Sequence, residues 1–260
     1  MPLLASTPLA GLTAHAITAF ADNYLWLLQS DRQAIAIDPG DAAPMLATLE
    51  SLQLTPAAIL VTHHHPDHIG GVETLAARWN CPVFGPTDTR IAGVNTSCAE
   101  GDRIRLDGFP EFEVWHVPGH TLTHLAFRLE DAIFVGDTLF GAGCGRVFEG
   151  SAADLYASLQ RIVALPPATL VFCSHEYTRA NLRFAALVEP GNEAVHLRAL
   201  ALADPGPSVP FALGEELASN VFLRCHLASV RTAVNAHFGT ALDAPAEVFA
   251  ALRRWKNSHV

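Results

Sequence analysis

The stretch Thr-His-His-His-Pro-Asp-His at residues 62–68 directly follows the apolar run Ala-Ala-Ile-Leu-Val at residues 57–61. A short apolar run that ends in polar residues is typical of a buried strand with a loop at its end. Side chains two residues apart in an extended segment point the same way, so His63 and His65 are expected to bind one metal ion together. His64 points the other way and is left out of the predicted ligand set.

The second part of this stretch turns away from the strand. Pro66 fixes its own φ and biases His65 away from helical backbone. Asp67 and His68 begin the turn into a predicted helix at residues 69–79, so they are expected to face a second metal ion. A surface tract of histidines that binds metal weakly is the alternative, but such a tract would not follow a strand-like run.

Three further side chains that can bind metal lie in other parts of the chain. Each follows an apolar run that is typical of a strand, and they are His120, Asp137 and His175. Loops at strand ends hold functional residues on a rigid scaffold. An unpaired carboxylate at the end of an apolar strand is costly to bury, so Asp137 is expected to lie beside a cation. Its two oxygens also suit it to bridge two metal ions.

Composition narrows the range of partners. The chain has 260 residues, a net charge of −10 and scattered basic residues, so the basic stripe of a nucleic-acid-binding protein is missing. No apolar run is long enough to span a membrane, and the first residues lack the positive charge of a secretion signal. Five widely spaced cysteines without a Cys-x-x-Cys pair favour reduced thiols in the cytoplasm. We expect a cytoplasmic protein that binds neither nucleic acid nor a membrane.

The first half of the chain is rich in predicted strands, and predicted strands stop near Tyr177. Ser151 is the predicted N-cap of a helix that runs to residue 164. Beyond Tyr177 the spacing predicts helices only, at residues 178–188, 192–202, 215–219, 227–238 and 245–257. The pattern indicates an α/β catalytic domain at residues 1–175 and a helical domain at residues 176–260.

Several motifs together resemble the metallo-β-lactamase superfamily: Thr-His-His-His-Pro-Asp-His, Pro-Gly-His-Thr, Gly-Asp-Thr-Leu-Phe and Ser-His-Glu-Tyr. Other segments are similar to one of its families, glyoxalase II, the hydroxyacylglutathione hydrolases. They include Asp-Asn-Tyr at residues 22–24, Gly-Ala-Gly-Cys-Gly-Arg at 141–146, Glu-Pro-Gly-Asn at 189–192 and Asn-Val-Phe-Leu-Arg at 220–224. The resemblance covers residues 15–256. It implies a four-layer αββα sandwich with a two-metal site and a helical C-terminal domain.

The resemblance also implies how the ligands divide. One metal would be bound by His63, His65 and His120, the other by Asp67, His68 and His175, and Asp137 would bridge the two. Zinc is the expected metal, and iron and manganese are alternatives because imidazole and carboxylate suit all three. The nucleophile would be a hydroxide that bridges the metals, oriented by Asp67, so no side chain acts as nucleophile. Cys144, in a glycine-rich loop, is therefore not expected to be one.

The implied substrate is S-D-lactoylglutathione, whose thioester is hydrolysed to glutathione and D-lactate in the second step of methylglyoxal detoxification. By resemblance, the glutathione part is bound by Arg146, Phe148, Tyr177, Arg253 and Lys256. Phe148 stands where some members carry tyrosine, which removes one hydroxyl hydrogen bond worth about 1 kcal/mol. Arg253 and Lys256 are three apart, so on a helix they share one face and both could bind a carboxylate.

Four other functions are weighed against this one. A glutathione persulfide dioxygenase of the same superfamily would use a single iron on fewer ligands than this chain offers. A β-lactamase is expected to be secreted, and a nuclease of this fold is disfavoured by the acidic charge. A binding module that kept the fold without catalysis would have lost ligands, whereas all seven positions hold the expected residue type.

Overall fold

The computed structural model describes residues 3–9 and 11–259. The chain divides into two compact units. Unit 1 comprises residues 1–116 and 123–136, and unit 2 comprises residues 117–122 and 137–260. The predicted division at residue 175 is a different one, and it stays a prediction.

Unit 1 contains a seven-stranded sheet whose strands follow one another in chain order. The first four strands pair antiparallel, and the last four, starting with the fourth, pair parallel. The strands are β1 (Leu3–Leu9), β2 (Leu12–Ala19), β3 (Asn23–Ser30), β4 (Gln33–Ile37), β5 (Thr55–Leu60), β6 (Val83–Pro86) and β7 (Thr96–Cys98). Three helices connect the parallel strands: α1 (Ala42–Leu52), α2 (Pro66–Ile69) and α3 (Val72–Trp79).

The apolar side chains of this sheet and its helices form one buried cluster. Ile59 and Val61 from the predicted buried strand are fully buried in it, together with Leu49 of α1 and Leu75 of α3. Burying one such side chain contributes about 1.5–3 kcal/mol. The cluster therefore fixes the end of β5, the point at which the histidine-rich stretch begins.

Four more strands of unit 1 form an antiparallel set in chain order. They are β8 (Arg103–Ile104), β9 (Phe112–His116), β10 (Leu125–Arg128) and β11 (Ala132–Gly136). All five residues of β11 are buried, which agrees with the continuous apolar run in its sequence.

Unit 2 is mostly helical. Its strands are the two-stranded hairpin β12 (Leu139–Phe140) and β13 (Gly143–Cys144), and the antiparallel pair β14 (Leu170–Cys173) and β15 (Phe211–Ala212). Its helices are α4 (Ala152–Val163), α5 (Thr178–Val188), α6 (Glu193–Ala201), α7 (Leu213–Ser219), α8 (Ala228–Phe238) and α9 (Pro245–Ser258). The α/β class with a helical C-terminal region is confirmed.

The five helices predicted beyond Tyr177 are confirmed, and each of their ends lies within two residues of the predicted end. Ser151 is the N-cap of α4, as predicted, and its hydroxyl accepts a bond from the Asp154 amide. The Asp154 carboxylate accepts in turn from the Ser151 amide, which completes a capping box.

Three predictions of secondary structure are wrong. The helix predicted at residues 69–79 is broken, because Gly71 packs against the preceding loop and its amide donates to the Pro39 carbonyl at 2.8 Å. A Cβ on Gly71 would lie only 2.6 Å from that carbonyl oxygen.

The strands β1, β7, β12 and β13 were not predicted. The expectation of helices alone beyond Tyr177 is contradicted by β15, which is only two residues long. Such short strands form through pairing with a distant segment rather than through a local pattern.

No helix in the described part of the chain is both long enough and apolar enough to cross a membrane.

Candidate metal centre

The segment that follows strand β5 carries the first two predicted ligands, His63 and His65. The Nε2 atom of His63 lies 3.0 Å from the Nδ1 atom of His65, and His63 is fully buried. Two nitrogens that bind one zinc ion at 2.0–2.1 Å in tetrahedral geometry lie about 3.3 Å apart. The two imidazoles therefore have close to the separation that a shared metal ion requires, and they point the same way as the extended segment predicts.

Helix α2 delivers the next two. The Nε2 atom of His68 lies 3.7 Å from Oδ2 of Asp67. His68 is buried, whereas the Asp67 side chain is about one-third exposed. The side-chain amide of Asn23 donates to Oδ2 of Asp67 at 2.9 Å, which fixes the orientation of that carboxylate. Asn23 belongs to the Asp-Asn-Tyr segment noted in the sequence.

A buried carboxylate that the sequence analysis missed orients these histidines. Oδ2 of Asp38 lies 3.0 Å from Nδ1 of His68 and accepts from the Thr62 hydroxyl at 2.7 Å. Oδ1 of Asp38 accepts from the Thr62 amide at 2.7 Å. The Thr62 hydroxyl also lies 3.0 Å from Nδ1 of His63. When Nδ1 of a histidine is held in this way, Nε2 is the nitrogen that binds metal.

Unit 2 brings the other three predicted ligands together. Oδ2 of Asp137 lies 3.4 Å from Nε2 of His120 and 3.5 Å from Nε2 of His175. All three side chains are buried. One carboxylate oxygen that faces two imidazoles has the placement that a bridging ligand needs. Nδ1 of His120 donates to the carbonyl of Arg146 at 2.8 Å, which leaves Nε2 as the metal-binding atom.

The donor sets fit divalent metal ions. Imidazole nitrogens and carboxylate oxygens suit zinc, iron and manganese, and the buried partners on Nδ1 are the usual support of metal-binding histidines. Burying this many polar groups without a cation would be costly. Unit 1 therefore presents four candidate ligands and unit 2 presents three.

Four of the five predicted substrate-binding residues, Arg146, Tyr177, Arg253 and Lys256, line one cavity of about 250 Å³ in unit 2. The rest of its lining is Phe140, Cys144, Ala180 and Asn181. Phe148 does not line the cavity. Its ring is 59% exposed, lies 5.3 Å from the His120 ring and has the Arg146 guanidinium over it at 5.4 Å.

The cavity is positively charged. Arg253 is buried and donates to the carbonyl of Cys144 at 2.9 Å. Burial, together with the charges of Arg253 and Arg183, lowers the pKa of Lys256 from its usual value of 10.5. These groups favour an anionic ligand, because a carboxylate would relieve their mutual repulsion.

Cys144 does not have the surroundings of a nucleophile. Burial raises the pKa of its thiol, whereas reactive cysteines have a lowered pKa and partial exposure. All five cysteines are free and buried.

His124 and Thr123 also lie near the histidine-rich stretch. The ring of His124 stacks on that of His63, with centroids 4.6 Å apart and planes 19° from parallel. The Thr123 hydroxyl donates to Oδ2 of Asp88 at 2.8 Å, and the same oxygen lies 3.6 Å from Nδ1 of His64. The His64 imidazole thus lies beside the Asp88 carboxylate.

Known proteins resemble this chain over nearly its whole length. A family model described as "Metallo-beta-lactamase superfamily" matches residues 22–96 and 85–175, and one described as "Hydroxyacylglutathione hydrolase C-terminus" matches residues 176–259. The hydroxyacylglutathione hydrolase of Dechloromonas aromatica is 48% identical over 259 residues, which cover 93% of this chain and 97% of the relative.

Two solved structures are also similar to this chain. The B3 metallo-β-lactamase BLEG-1 is 27% identical with a TM-score of 0.59, and the match covers 77% of this chain and 94% of that one. The protein TTHA1623, solved in a di-iron-bound form, is 29% identical with a TM-score of 0.56, and the match covers 80% and 99%. The chain belongs to the hydroxyacylglutathione hydrolase family of the metallo-β-lactamase superfamily.

Proposed function

We propose that this protein hydrolyses the thioester bond of S-(2-hydroxyacyl)glutathione, with S-D-lactoylglutathione as its substrate, and releases glutathione and D-lactate. The observation that carries the proposal is a complete ligand set in a chain of this family. Within unit 1, candidate ligand atoms of His63 and His65 lie 3.0 Å apart and those of Asp67 and His68 lie 3.7 Å apart. Within unit 2, the Asp137 carboxylate lies 3.4 and 3.5 Å from two imidazole nitrogens.

We propose that the seven ligands bind two divalent ions, most simply zinc. His63, His65 and His120 would bind one ion, Asp67, His68 and His175 the other, and Asp137 both. Such a pair supplies a hydroxide nucleophile at neutral pH and stabilises charge on the carbonyl oxygen. The di-iron form of TTHA1623 supports iron as an alternative.

The residues of the chain have three further tasks in this proposal. Asp67, held by the Asn23 amide, orients the attacking water. The second carboxylate, Asp38, keeps the His68 imidazole in the tautomer that binds metal. The departing thiol has a pKa of about 8.5, so its anion leaves without a dedicated general acid.

The substrate is held through its glutathione part. Glutathione carries two carboxylates, and Arg253 and Lys256 give the cavity the complementary charge. Arg146 adds a third cation at its edge. The Tyr177 ring stacks on His175 with centroids 4.8 Å apart, so the same contact joins the cavity wall to a candidate metal ligand.

We also propose that the protein acts on this small molecule as a cytoplasmic monomer, with residues 1–175 as catalytic domain and residues 176–260 as substrate-binding domain. Free, buried cysteines support a reducing compartment. All seven ligands lie on one chain, so no second copy is needed to complete the set.

A thioester assay tests the proposal. Purified, zinc-loaded protein is mixed with S-D-lactoylglutathione, and loss of the thioester is followed together with release of free thiol. We expect turnover that stops when a chelator is added. Absence of turnover in the metal-loaded protein would refute the proposal, and hydrolysis of a β-lactam instead would assign the activity to the other branch of the superfamily.

A further inference from the structure

The hairpin β12–β13 forms one wall of the cavity in unit 2 that we propose to bind the glutathione part. Phe140 at the end of β12 and Cys144 at the end of β13 both line the cavity. The turn between the strands is Gly141-Ala142. Ala142 has a φ of 54°, a left-handed conformation that costs a residue with a side chain about 1–2 kcal/mol. Contacts from outside the hairpin can offset this cost.

A buried carboxylate from helix α7 does so. Glu216 is fully buried, and its Oε2 atom accepts from the Ala142 amide at 2.8 Å. The same oxygen accepts from the side-chain amide of Asn220 at 2.7 Å. Its other oxygen, Oε1, is bound by the guanidinium of Arg198. Every partner of this carboxylate is thus a donor held by the fold.

Asn220 binds the second strand of the hairpin, β13. Its side-chain amide also donates to the carbonyl of Gly143 at 2.9 Å, and Asn220 is fully buried. Glu216 and Asn220 together therefore bind the hairpin on both sides of its turn. Arg253, a cation of the cavity, donates to Cys144 on the same hairpin at 2.9 Å. A displaced hairpin would move a wall of the cavity and this guanidinium with it.

Stability alone does not explain why a charged residue occupies position 216. A buried ion pair is often no more stabilising than apolar side chains of the same volume, because both charges lose their hydration. What the carboxylate provides is an acceptor at a defined place for the amide of a strained turn.

We propose that Glu216 is a positioning residue for glutathione binding. Held by Arg198 and Asn220, it fixes the Ala142 turn and so sets the cavity wall formed by Phe140 and Cys144. This inference rests on the proposed function, since it takes the cavity to be the site of the glutathione part.

The experiment compares Glu216→Gln with Glu215→Gln. Glu215 is the neighbouring residue on α7, its side chain is 58% exposed, and its carboxylate lies 4.0 Å from the same Arg198 guanidinium, so it controls for the loss of a negative charge beside Arg198. Binding of S-hexylglutathione to the zinc-loaded protein is measured by calorimetry. In Glu216→Gln one of the two acceptor oxygens becomes an NH2 group, which faces only donors, either the amides of Ala142 and Asn220 or the Arg198 guanidinium. We expect Kd to rise about tenfold in this variant, an effect typical of losing one hydrogen bond to a charged group, and to stay unchanged in the control.

Kinetics supply a second readout. For lactoylglutathione we expect KM to rise about tenfold in Glu216→Gln while kcat changes less than about threefold. For S-lactoyl-N-acetylcysteamine, a thioester that lacks the peptide, we expect kcat/KM to stay within about threefold of wild type. A merely structural role would instead lower kcat for both thioesters in parallel, at unchanged KM.

Asn220→Ala is the second variant, because it removes the bond to Gly143 and leaves the pairing of Glu216 with Arg198. It should give the same rise in Kd, and it decides the question if Glu216→Gln fails to fold. Wild-type Kd in the folded variants, or a parallel loss of both activities at unchanged Kd, would overturn the inference. Failure of wild type to hydrolyse lactoylglutathione would overturn the proposed function instead, since the Kd comparison needs no turnover.

Discussion

The Nδ1 atom of His68 lies 3.0 Å from Oδ2 of Asp38, and both side chains are almost fully buried. The Asp38 carboxylate also accepts from the amide and the hydroxyl of Thr62. Carboxylates that accept from metal-binding histidines fix the ring orientation and make the imidazole a stronger ligand. Asp38 therefore ties the end of strand β4 to two histidines of the candidate site, since Thr62 in turn contacts His63.

Replacing Asp38 by asparagine should weaken metal binding by about 10–100-fold, because the neutral amide polarises His68 less than the carboxylate does. Competition with a chelator of known affinity measures the change. The control is Asp31→Asn, since Asp31 has the same left-handed backbone, with φ of 51° against 48°, but lies in an exposed turn. Equal metal affinity in the two variants would show that Asp38 does not support metal binding.

Asp137→Asn should lower kcat/KM for lactoylglutathione by at least about 100-fold, since it removes the charge that faces both His120 and His175. Bound metal per chain, measured on the same sample by mass spectrometry, should fall as well. Asp131→Asn, in an exposed turn, serves as the control and should match wild type. A variant at Asp137 that kept its metal and its activity would show that this carboxylate bridges nothing.

The seven candidate ligands could be chosen from sequence because histidine or aspartate placed directly after an apolar strand is chemically specific. Asp38 carries the same signal, since it follows strand β4, and the same rule applied at every strand end would have found it. The approach of Pro39 to Gly71, which breaks the predicted helix at residues 69–79, depends on tertiary packing instead. A pattern within one helix cannot reveal it.

The role of Glu216 could not be predicted from the sequence. An acidic residue in a short helix usually faces water, and nothing nearby distinguishes Glu216 from its exposed neighbour Glu215. Its role depends on the Ala142 amide, 74 residues away in the chain. The hairpin that it holds has strands of two residues each, too short for the alternation of apolar and polar residues that predicts a strand.

Lys256→Met should raise KM for lactoylglutathione about tenfold and leave kcat nearly unchanged, because it removes one charge from the cavity and none from the ligand set. Arg254→Met is the matched control, since Arg254 is exposed on the same helix and lies over the Phe238 ring. A drop in kcat at constant KM in Lys256→Met would place this lysine in the chemical step rather than in binding.

The affinity for glutathione should depend on pH through Lys256. Burial and the neighbouring Arg253 and Arg183 charges lower the pKa of this lysine, and only its protonated form attracts a carboxylate. Affinity should therefore be full at neutral pH and fall as the pH rises through the lowered pKa, earlier than for an exposed lysine. Titrations with S-hexylglutathione from pH 7 upward measure this decline.

Lys256→Arg provides the comparison, because a guanidinium stays charged over the whole range. The difference between the two proteins cancels the titration of the ligand's own amine. Affinities that declined in parallel would show that the charge of Lys256 does not contribute to binding.

Zinc returned stepwise to the metal-free protein, with bound metal and lactoylglutathione hydrolysis measured on each sample, tests whether two bound ions are needed for hydrolysis. We expect no hydrolysis without metal and full hydrolysis as bound zinc approaches two ions per chain. Hydrolysis by the metal-free protein, or a fully loaded protein that leaves the thioester intact, would disprove hydrolysis by a metal pair bound to these seven residues.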